Sequence, residues 1–363
     1  MRGLDRCVTI KCGKANWLFR VASLSMGARS IMQKRRLLTS GQAGVRVPVI
    51  SRRSWLTGIL LGAAATSATP RVGLCMQSKG DATETDEIAS VQALAKKAGL
   101  GPFSNSRTKH FLGLGDAPAQ FRVSALEICE SLSTAFLPHF RERGFQLAMP
   151  DQRLTVITLK DKDSYGAFLG EDPGQMVGGH YDLDTNRLVM FDFRPNIGLA
   201  NLNANPERVN LLTLVHETTH LLCFNTGLLS RQTDVPDWVS EGLATYAELW
   251  QKNRKPVTPI GTVNGPWLYC LRESRSWISI PDLVAADGSF RDPKTEQLSY
   301  AESWLMVHYL MRSEVQRPKF RSYLAALPPQ GQDTAPNRVA LAEKHFGSLK
   351  KLDHDLYLKR LSR

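Results

Sequence analysis

The feature that most limits how this chain can fold is an apolar run interrupted by two histidines and a glutamate. The run reads Leu211-Leu212-Thr213-Leu214-Val215-His216-Glu217-Thr218-Thr219-His220-Leu221-Leu222. Leucines on both sides of the polar residues predict a buried helix. Side chains four residues apart lie one above the other on a helix, so His216 and His220 share one face. The chain must therefore bury a helix that carries two imidazoles and a carboxylate.

Buried polar groups of this kind need partners, because an unpaired charge in an apolar interior is strongly destabilising. A metal ion would supply those partners, and the HExxH spacing is typical of catalytic zinc sites. We predict that His216 and His220 bind one zinc ion and that Glu217 is the general base that takes a proton from a metal-bound water. The alternative is a buried helix whose histidines are hydrogen-bonded to backbone carbonyls.

A third metal ligand is expected on the helix that follows. The segment 234–246 contains a proline at a helix start and acidic residues in the first turn. Glu241 lies 21 residues after His220, which leaves room for a helix end, a turn and a return. Gly242 beside it would let two helices approach closely. Glu241 completes a His₂Glu zinc set, with Glu248 and Asp237 as rival ligands.

These two segments resemble the gluzincin metallopeptidases, a group that includes thermolysin and the zinc aminopeptidases, in which a glutamate on the next long helix completes the HExxH site. The chain is more closely similar to an uncharacterised family of exported bacterial proteins with a peptidase-like gluzincin core. The resemblance covers roughly residues 105–362. Its further stretches are Gly178-Gly179-His180-Tyr181 leading into 186–191, then Tyr300-Ala301-Glu302-Ser303-Trp304-Leu305-Met306-Val307-His308, and Phe346-Gly347.

The resemblance implies a zinc ion bound by the same three residues, with Glu217 acting first as general base and then as general acid. It also implies that Tyr300 stabilises the oxyanion, although an ordinary packed aromatic is an equal alternative. The strand 187–193 would form the sheet edge next to the metal, where a peptide substrate could add as a further strand. We expect His180 to be a polar loop residue and His308 a packed core histidine rather than ligands.

The rest of the chain predicts an α+β fold, in which a small mixed or antiparallel sheet precedes a mostly helical half that carries the HExxH helix. The resemblance implies that this fold is zincin-like. The predicted strands are 109–114, 153–159 and 187–193, with a long helix over 121–143, a helix or turn at 165–169, and a loop marked by Gly174, Gly178 and Gly179. The predicted later helices are 207–223, 236–251, 297–313, 316–326, 337–346 and 349–361. The loop 253–266 is a candidate lid or a simple connector.

An export signal is predicted near the N-terminus. Ser51-Arg52-Arg53-Ser54-Trp55-Leu56 resembles a twin-arginine signal and precedes a short apolar run and small residues over 65–68. The 14 residues from Trp55 to Ala68 are too few to span a bilayer, which favours cleavage over a retained anchor. Lipidation at Cys75 is disfavoured by Leu74. We expect residues 1–78 to form the basic N-region and signal, 79–104 a linker or lead-in, and the product to be periplasmic or extracellular.

Charge and cysteine content exclude two other classes of protein. Of the 46 Lys and Arg residues, 13 lie in residues 1–78 with Asp5 as the single acidic residue there, so the remainder is neutral. A nucleic-acid-binding surface is therefore not predicted despite a pI of about 9.5. Beyond the leader, Cys129, Cys223 and Cys270 show no CxxC spacing and predict neither a disulfide framework nor a cysteine zinc site, although one pair could form after export.

The sequence thus predicts an exported zinc metallopeptidase, with one zinc ion per chain and a peptide or protein as substrate. Two alternatives stay open: a non-catalytic metal-binding or scaffold module that keeps the fold, and a zinc hydrolase of non-peptide bonds. An intact Glu217 argues against the first, because metal binding alone needs no base at that position.

Overall fold

The computed structural model describes residues 84–172, 178–194, 205–252, 257–331 and 337–361. The predicted export signal and the basic N-region lie outside the described residues. The strands are β1 (Ser104–Arg107), β2 (Phe111–Gly115), β3 (Leu154–Leu159), β4 (Gly179–Asp182) and β5 (Arg187–Phe191). The helices are α1 (Glu84–Lys97), α2 (Ala119–Arg141), α3 (Lys162–Leu169), α4 (Pro206–Asn225), α5 (Asp237–Ala247), α6 (Gly265–Glu273), α7 (Ile280–Ala285), α8 (Glu296–Arg312), α9 (Gln316–Ala325), α10 (Arg338–Phe346) and α11 (Leu349–Leu361), with a 3₁₀ turn at Asp287–Phe290.

The five strands form one mixed sheet in the order β1-β2-β3-β5-β4. The three inner strands β2, β3 and β5 run parallel, whereas the outer strands β1 and β4 are antiparallel to their neighbours. The described helices after β5 make up the second half of the chain, which confirms the predicted α+β class.

The central strands are buried on both faces, as parallel strands covered by helices must be. Val156 of β3 and Leu188 of β5 face a large core shared with α2, α4 and the helical half. Ile157 and Val189, the next residue along each strand, face a smaller core that includes residues of α1 and α3. Every residue of β3 is buried. Alternate residues of each central strand therefore face two different cores, one on each side of the sheet. The described part of the predicted lead-in contributes to the smaller core.

The helical half is built around α4, α5 and α8. Helix α4 begins with Pro206, and the side chain of Asn205 accepts a hydrogen bond from the backbone N–H of Glu207. This is a favourable helix start, because proline fits the first position and asparagine satisfies an otherwise unpaired donor. Helix α4 contacts β4, β5, α2 and α5, and α5 in turn packs along α8. None of the described helices is long and apolar enough to cross a bilayer.

Two features of the sheet differ from the sequence-based expectations. The prediction that strand 187–193 forms the sheet edge is wrong, because β4 pairs with β5 and lies outside it. Gly179 was expected in a loop but begins β4, while Gly174 lies outside the described residues. Helix α6 begins at Gly265, inside the predicted loop 253–266, and the sequence did not predict this helix.

Candidate metal centre

Helix α4 carries the first part of the centre. His216, Glu217 and His220 are each only 2–3% exposed, although all three are polar. The two imidazole rings lie one helical turn apart with their centroids 4.9 Å from each other. Leucines and valine on both sides of the motif are buried as well. The apolar run therefore carries these polar groups into the core, as the sequence predicted.

Helix α5 brings the third group. The carboxylate oxygen Oε2 of Glu241 lies 3.3 Å from Nε2 of His216 and 3.3 Å from Nε2 of His220. The two Nε2 atoms are 3.2 Å apart. Gly242 allows α5 to approach α8 closely, because a Cβ at this position would lie 2.7 Å from the carbonyl oxygen of Ser303. The three predicted ligands thus meet at one point inside the protein.

A cation fits this arrangement better than the three side chains alone do. Three potential ligand atoms face one another, and their lone pairs repel at this distance unless a proton or a metal ion lies between them. Burial disfavours the charged imidazole of His216, but its hydrogen bond with Glu241 and the carboxylates of Glu217 and Glu248 outweigh burial and raise its pKa to about 9. The centre therefore attracts a positive charge, and His216, His220 and Glu241 could hold a metal ion.

The hydrogen bond between His220 and Ser240 orients one imidazole. Nδ1 of His220 lies 3.1 Å from the hydroxyl oxygen of Ser240, the residue that precedes Glu241. A proton on Nδ1 donated to this hydroxyl leaves the lone pair of Nε2 directed at the centre. The sequence analysis did not assign a role to Ser240, although its position next to the candidate ligand was a usable signal.

Glu217 lies beside the three converging atoms and is held from the sheet side. Its Oε2 accepts a hydrogen bond of 2.8 Å from the backbone N–H of Tyr181 in β4. The edge strand is therefore the element that positions the predicted base. No sequence signal could have identified this donor, because every residue except proline carries a backbone N–H.

The two rival ligands lie outside the converging set. Asp237 is at the start of α5, where its carboxylate lies 3.7 Å from the guanidinium of Arg291. Glu248 follows the end of α5 and accepts a hydrogen bond of 2.8 Å from the indole N–H of Trp267. The structure thus separates Glu241 from the other two carboxylates that the sequence left open.

Tyr300 lies close to the centre on α8 and is buried. Its ring centroid is 6.4 Å from that of His216, and its ring stacks on Trp267 at 6.1 Å with an interplanar angle of 20°. Phe290 contacts the same ring edge to face. Tyr300 is therefore both a packed aromatic and a neighbour of a candidate ligand. Its position is compatible with both alternatives from the sequence, an oxyanion donor and an ordinary packed aromatic.

The two remaining histidines that the sequence considered occupy different environments. His180 lies in β4 rather than in a loop, and its Nδ1 is 2.6 Å from the hydroxyl of Tyr165. Burial lowers the pKa of His180 to about 4, so the phenol donates to a neutral imidazole. His308 on α8 packs against the rings of Trp304 and Tyr246 at 5.3 Å and 6.2 Å, but it is half-buried rather than fully in the core.

Comparison with known proteins adds a partial family match. Residues 210–328 match the model of a family described as "Protein of unknown function (DUF1570)". The matched span contains His216, His220, Glu241 and Tyr300, but it begins after the sheet and so omits β4. No curated protein matches the chain at a significant level. The matched span thus contains the candidate metal centre, and the match leaves the reaction open.

Proposed function

We propose that this protein is a gluzincin-type zinc metallopeptidase in which His216, His220 and Glu241 hold the metal. The observation that carries the proposal is the spacing of the three ligand atoms, 3.2–3.3 Å. Ligand atoms about 2.0–2.1 Å from a tetrahedral zinc ion are about 3.3–3.4 Å apart. Two imidazoles and one carboxylate with a fourth position for water form the ligand set of catalytic rather than structural zinc.

The chemistry follows from the residues around this site. A bound zinc ion would polarise the scissile carbonyl and lower the pKa of a water molecule towards neutrality. Glu217 would accept the proton of that water and later return it to the leaving amine. The N–H of Tyr181 supports this role, because its hydrogen bond to Oε2 fixes the position of the carboxylate.

Substrate binding is proposed along β4. This strand is at the edge of the sheet, and its Tyr181 N–H points to Glu217 rather than to the β5 ladder. A peptide that added beside β4 as an extended strand would present its backbone next to the base. Tyr300 is the proposed oxyanion donor, and its proximity to His216 supports this assignment.

We also propose that hydrolysis takes place outside the cytoplasm. The support is in the sequence alone, where the twin-arginine segment 51–56 precedes a short apolar run and small residues. The near-neutral charge of the remaining chain is compatible with peptide substrates and gives no reason to expect nucleic acid.

The first test is the metal content of the purified protein, measured by plasma mass spectrometry. We expect about one zinc ion per chain, lost in a His216→Ala, His220→Ala double variant. A folded protein that binds no zinc would refute the proposal.

The second test separates catalysis from binding. Glu217→Gln should retain zinc and lose turnover of a quenched peptide library by about 10²–10⁴-fold. If the wild-type protein binds zinc but neither protein cleaves peptides, ester and phosphate substrates then distinguish a hydrolase of other bonds from a binding module.

A further inference from the structure

Glu248 is a buried carboxylate close to the centre that is neither one of the proposed metal ligands nor the proposed base. It is 2% exposed and lies two helical turns after Glu241. Both of its described hydrogen bonds reach the same oxygen, Oε2: the indole N–H of Trp267 donates at 2.8 Å and the amide of Asn264 donates at 3.2 Å. A carboxylate buried in this way is destabilising unless hydrogen bonds compensate for the loss of water.

These hydrogen bonds fix the start of α6. Asn264 caps the helix, since its side-chain oxygen accepts from the backbone N–H of Trp267 and its amide also donates to the carbonyl of Thr245. Glu248 then holds the indole itself, which is 2% exposed. Trp267 is therefore held both at its backbone N–H and at the N–H of its indole ring.

The fixed indole covers the aromatic ring next to the metal ligand. Trp267 and Tyr300 stack with centroids 6.1 Å apart and planes 20° apart. Tyr300 in turn lies 6.4 Å from His216, with an interplanar angle of 36°. A continuous series of contacts thus runs from Glu248 through Trp267 and Tyr300 to the imidazole of His216.

We propose that Glu248 is a positioning residue of the metal centre, which holds Trp267 by a hydrogen bond and through it sets the packing of Tyr300 against His216. The inference rests on the proposed function insofar as the centre holds zinc. It assigns to Glu248 a task that depends on hydrogen-bond acceptance, not on metal ligation. Direct hydrogen-bond partners of a metal ligand change metal affinity about 10–100-fold when they are removed; because Glu248 acts through the rings of Trp267 and Tyr300, we expect the lower end of this range.

Zinc affinity, measured by competition with a chromophoric chelator, tests the proposal without any substrate. Glu248→Ala should weaken zinc binding about tenfold. Trp267→Phe, which keeps a ring but removes the N–H, should weaken it in the same direction. Glu248→Gln should restore most of the affinity, because its amide oxygen can still accept both hydrogen bonds. The double variant Glu248→Ala, Trp267→Phe should bind zinc no more weakly than Glu248→Ala does, since both changes remove the same hydrogen bond.

Trp277→Phe is the matched control. The indole N–H of Trp277 donates to Oδ1 of Asp353 at 2.8 Å, the same type of bond away from the centre. This variant should bind zinc with wild-type affinity. Far-ultraviolet circular dichroism and a cooperative urea transition verify that each variant is folded, and Trp267→Phe keeps the test informative if Glu248→Ala does not fold.

Several outcomes would overturn the proposal. Wild-type affinity in a folded Glu248→Ala variant, or equal weakening by Trp277→Phe, would show that the hydrogen bond does not position the centre. Glu248→Gln as weak as Glu248→Ala would show that the charge matters instead. Loss of zinc as complete as in Glu241→Ala would make Glu248 a ligand. A wild-type protein without zinc would refute the proposed function as well, whereas every other outcome bears on Glu248 alone.

Discussion

Replacing Gly242 with alanine would press α5 against α8 at the residue next to the candidate ligand Glu241. A Cβ on Gly242 would lie 2.6 Å from Cγ2 of Val307 and 2.7 Å from the carbonyl oxygen of Ser303. Favourable contacts between carbon atoms occur at about 3.5–4.0 Å. The valine can rotate, but the Ser303 oxygen belongs to the backbone of α8. The two helices must therefore move apart by several tenths of an ångström.

Two opposing effects set the size of the change. Alanine in place of glycine stabilises a helix interior by about 1 kcal/mol. Overpacking costs about 1–3 kcal/mol, and the rigid backbone contact places this case in the upper part of that range. We therefore expect Gly242→Ala to lower the free energy of unfolding by about 1–2 kcal/mol. The displaced Glu241 should also weaken zinc binding by about tenfold or more, because metal sites tolerate ligand errors of only about 0.2 Å.

Urea denaturation of the metal-free protein measures the first effect, and chelator competition measures the second. Gly265→Ala is the matched control, because a Cβ at this helical glycine meets nothing within 4 Å. Val307→Ala added to Gly242→Ala should recover part of the loss, since it removes the Cγ2 contact but not the backbone contact. Wild-type stability and zinc affinity in Gly242→Ala would refute the idea that this close approach positions Glu241.

Three further changes test other parts of the structure. Because the pKa of His216 is raised to about 9 in the absence of metal, zinc must displace a proton from its imidazole. Zinc affinity measured by chelator competition should therefore rise about tenfold per pH unit up to about pH 9. A zinc affinity that does not depend on pH would contradict this. Burial raises the pKa of Glu302 from 4.5 to about 9, so the folded state favours the protonated carboxyl group. The contribution of Glu302 to the free energy of unfolding is therefore fully present below about pH 4.5 and is lost as the pH rises through about 9. Glu302→Gln should flatten this part of the urea-measured stability profile, and an unchanged profile would argue against a protonated Glu302. Tyr165→Phe should cost about 1–3 kcal/mol in urea denaturation, because His180 loses its buried phenol donor; an unchanged midpoint would show that the bond contributes nothing.

The sequence predicted the elements whose stability is encoded in their own residues. Helix α2 was expected over 121–143 and is observed over Ala119–Arg141, because its apolar face repeats at helical spacing. Strand β1, with the sequence Ser-Asn-Ser-Arg and no buried residue, carries no such pattern. Strand β4 begins with a glycine that predicts a turn. Both strands exist because they pair with β2 and β5, and pairing between distant segments is not visible in a short window.

The same distinction applies to the candidate metal centre. The spacing of His216 and His220 is local, and the helix signals around Glu241 are local too, so all three candidate ligands could be identified from the sequence. The groups that orient them could not. Ser240 acts through an imidazole 20 residues away, and the N–H of Tyr181 reaches Glu217 across 36 residues. Such contacts depend on how the sheet and the helices are joined rather than on residue type.

The centre therefore depends on two parts of the fold that perform different tasks. The three candidate ligands come from α4 and α5, inside the span that matches the family model. The donor that holds Glu217 comes from β4, which lies outside that span and packs against α4. The first part contains all three candidate ligands, whereas the orientation of Glu217, the proposed base, also depends on the second part. Changes in β4 should for this reason affect turnover more than metal affinity, whereas changes between α5 and α8 should affect both.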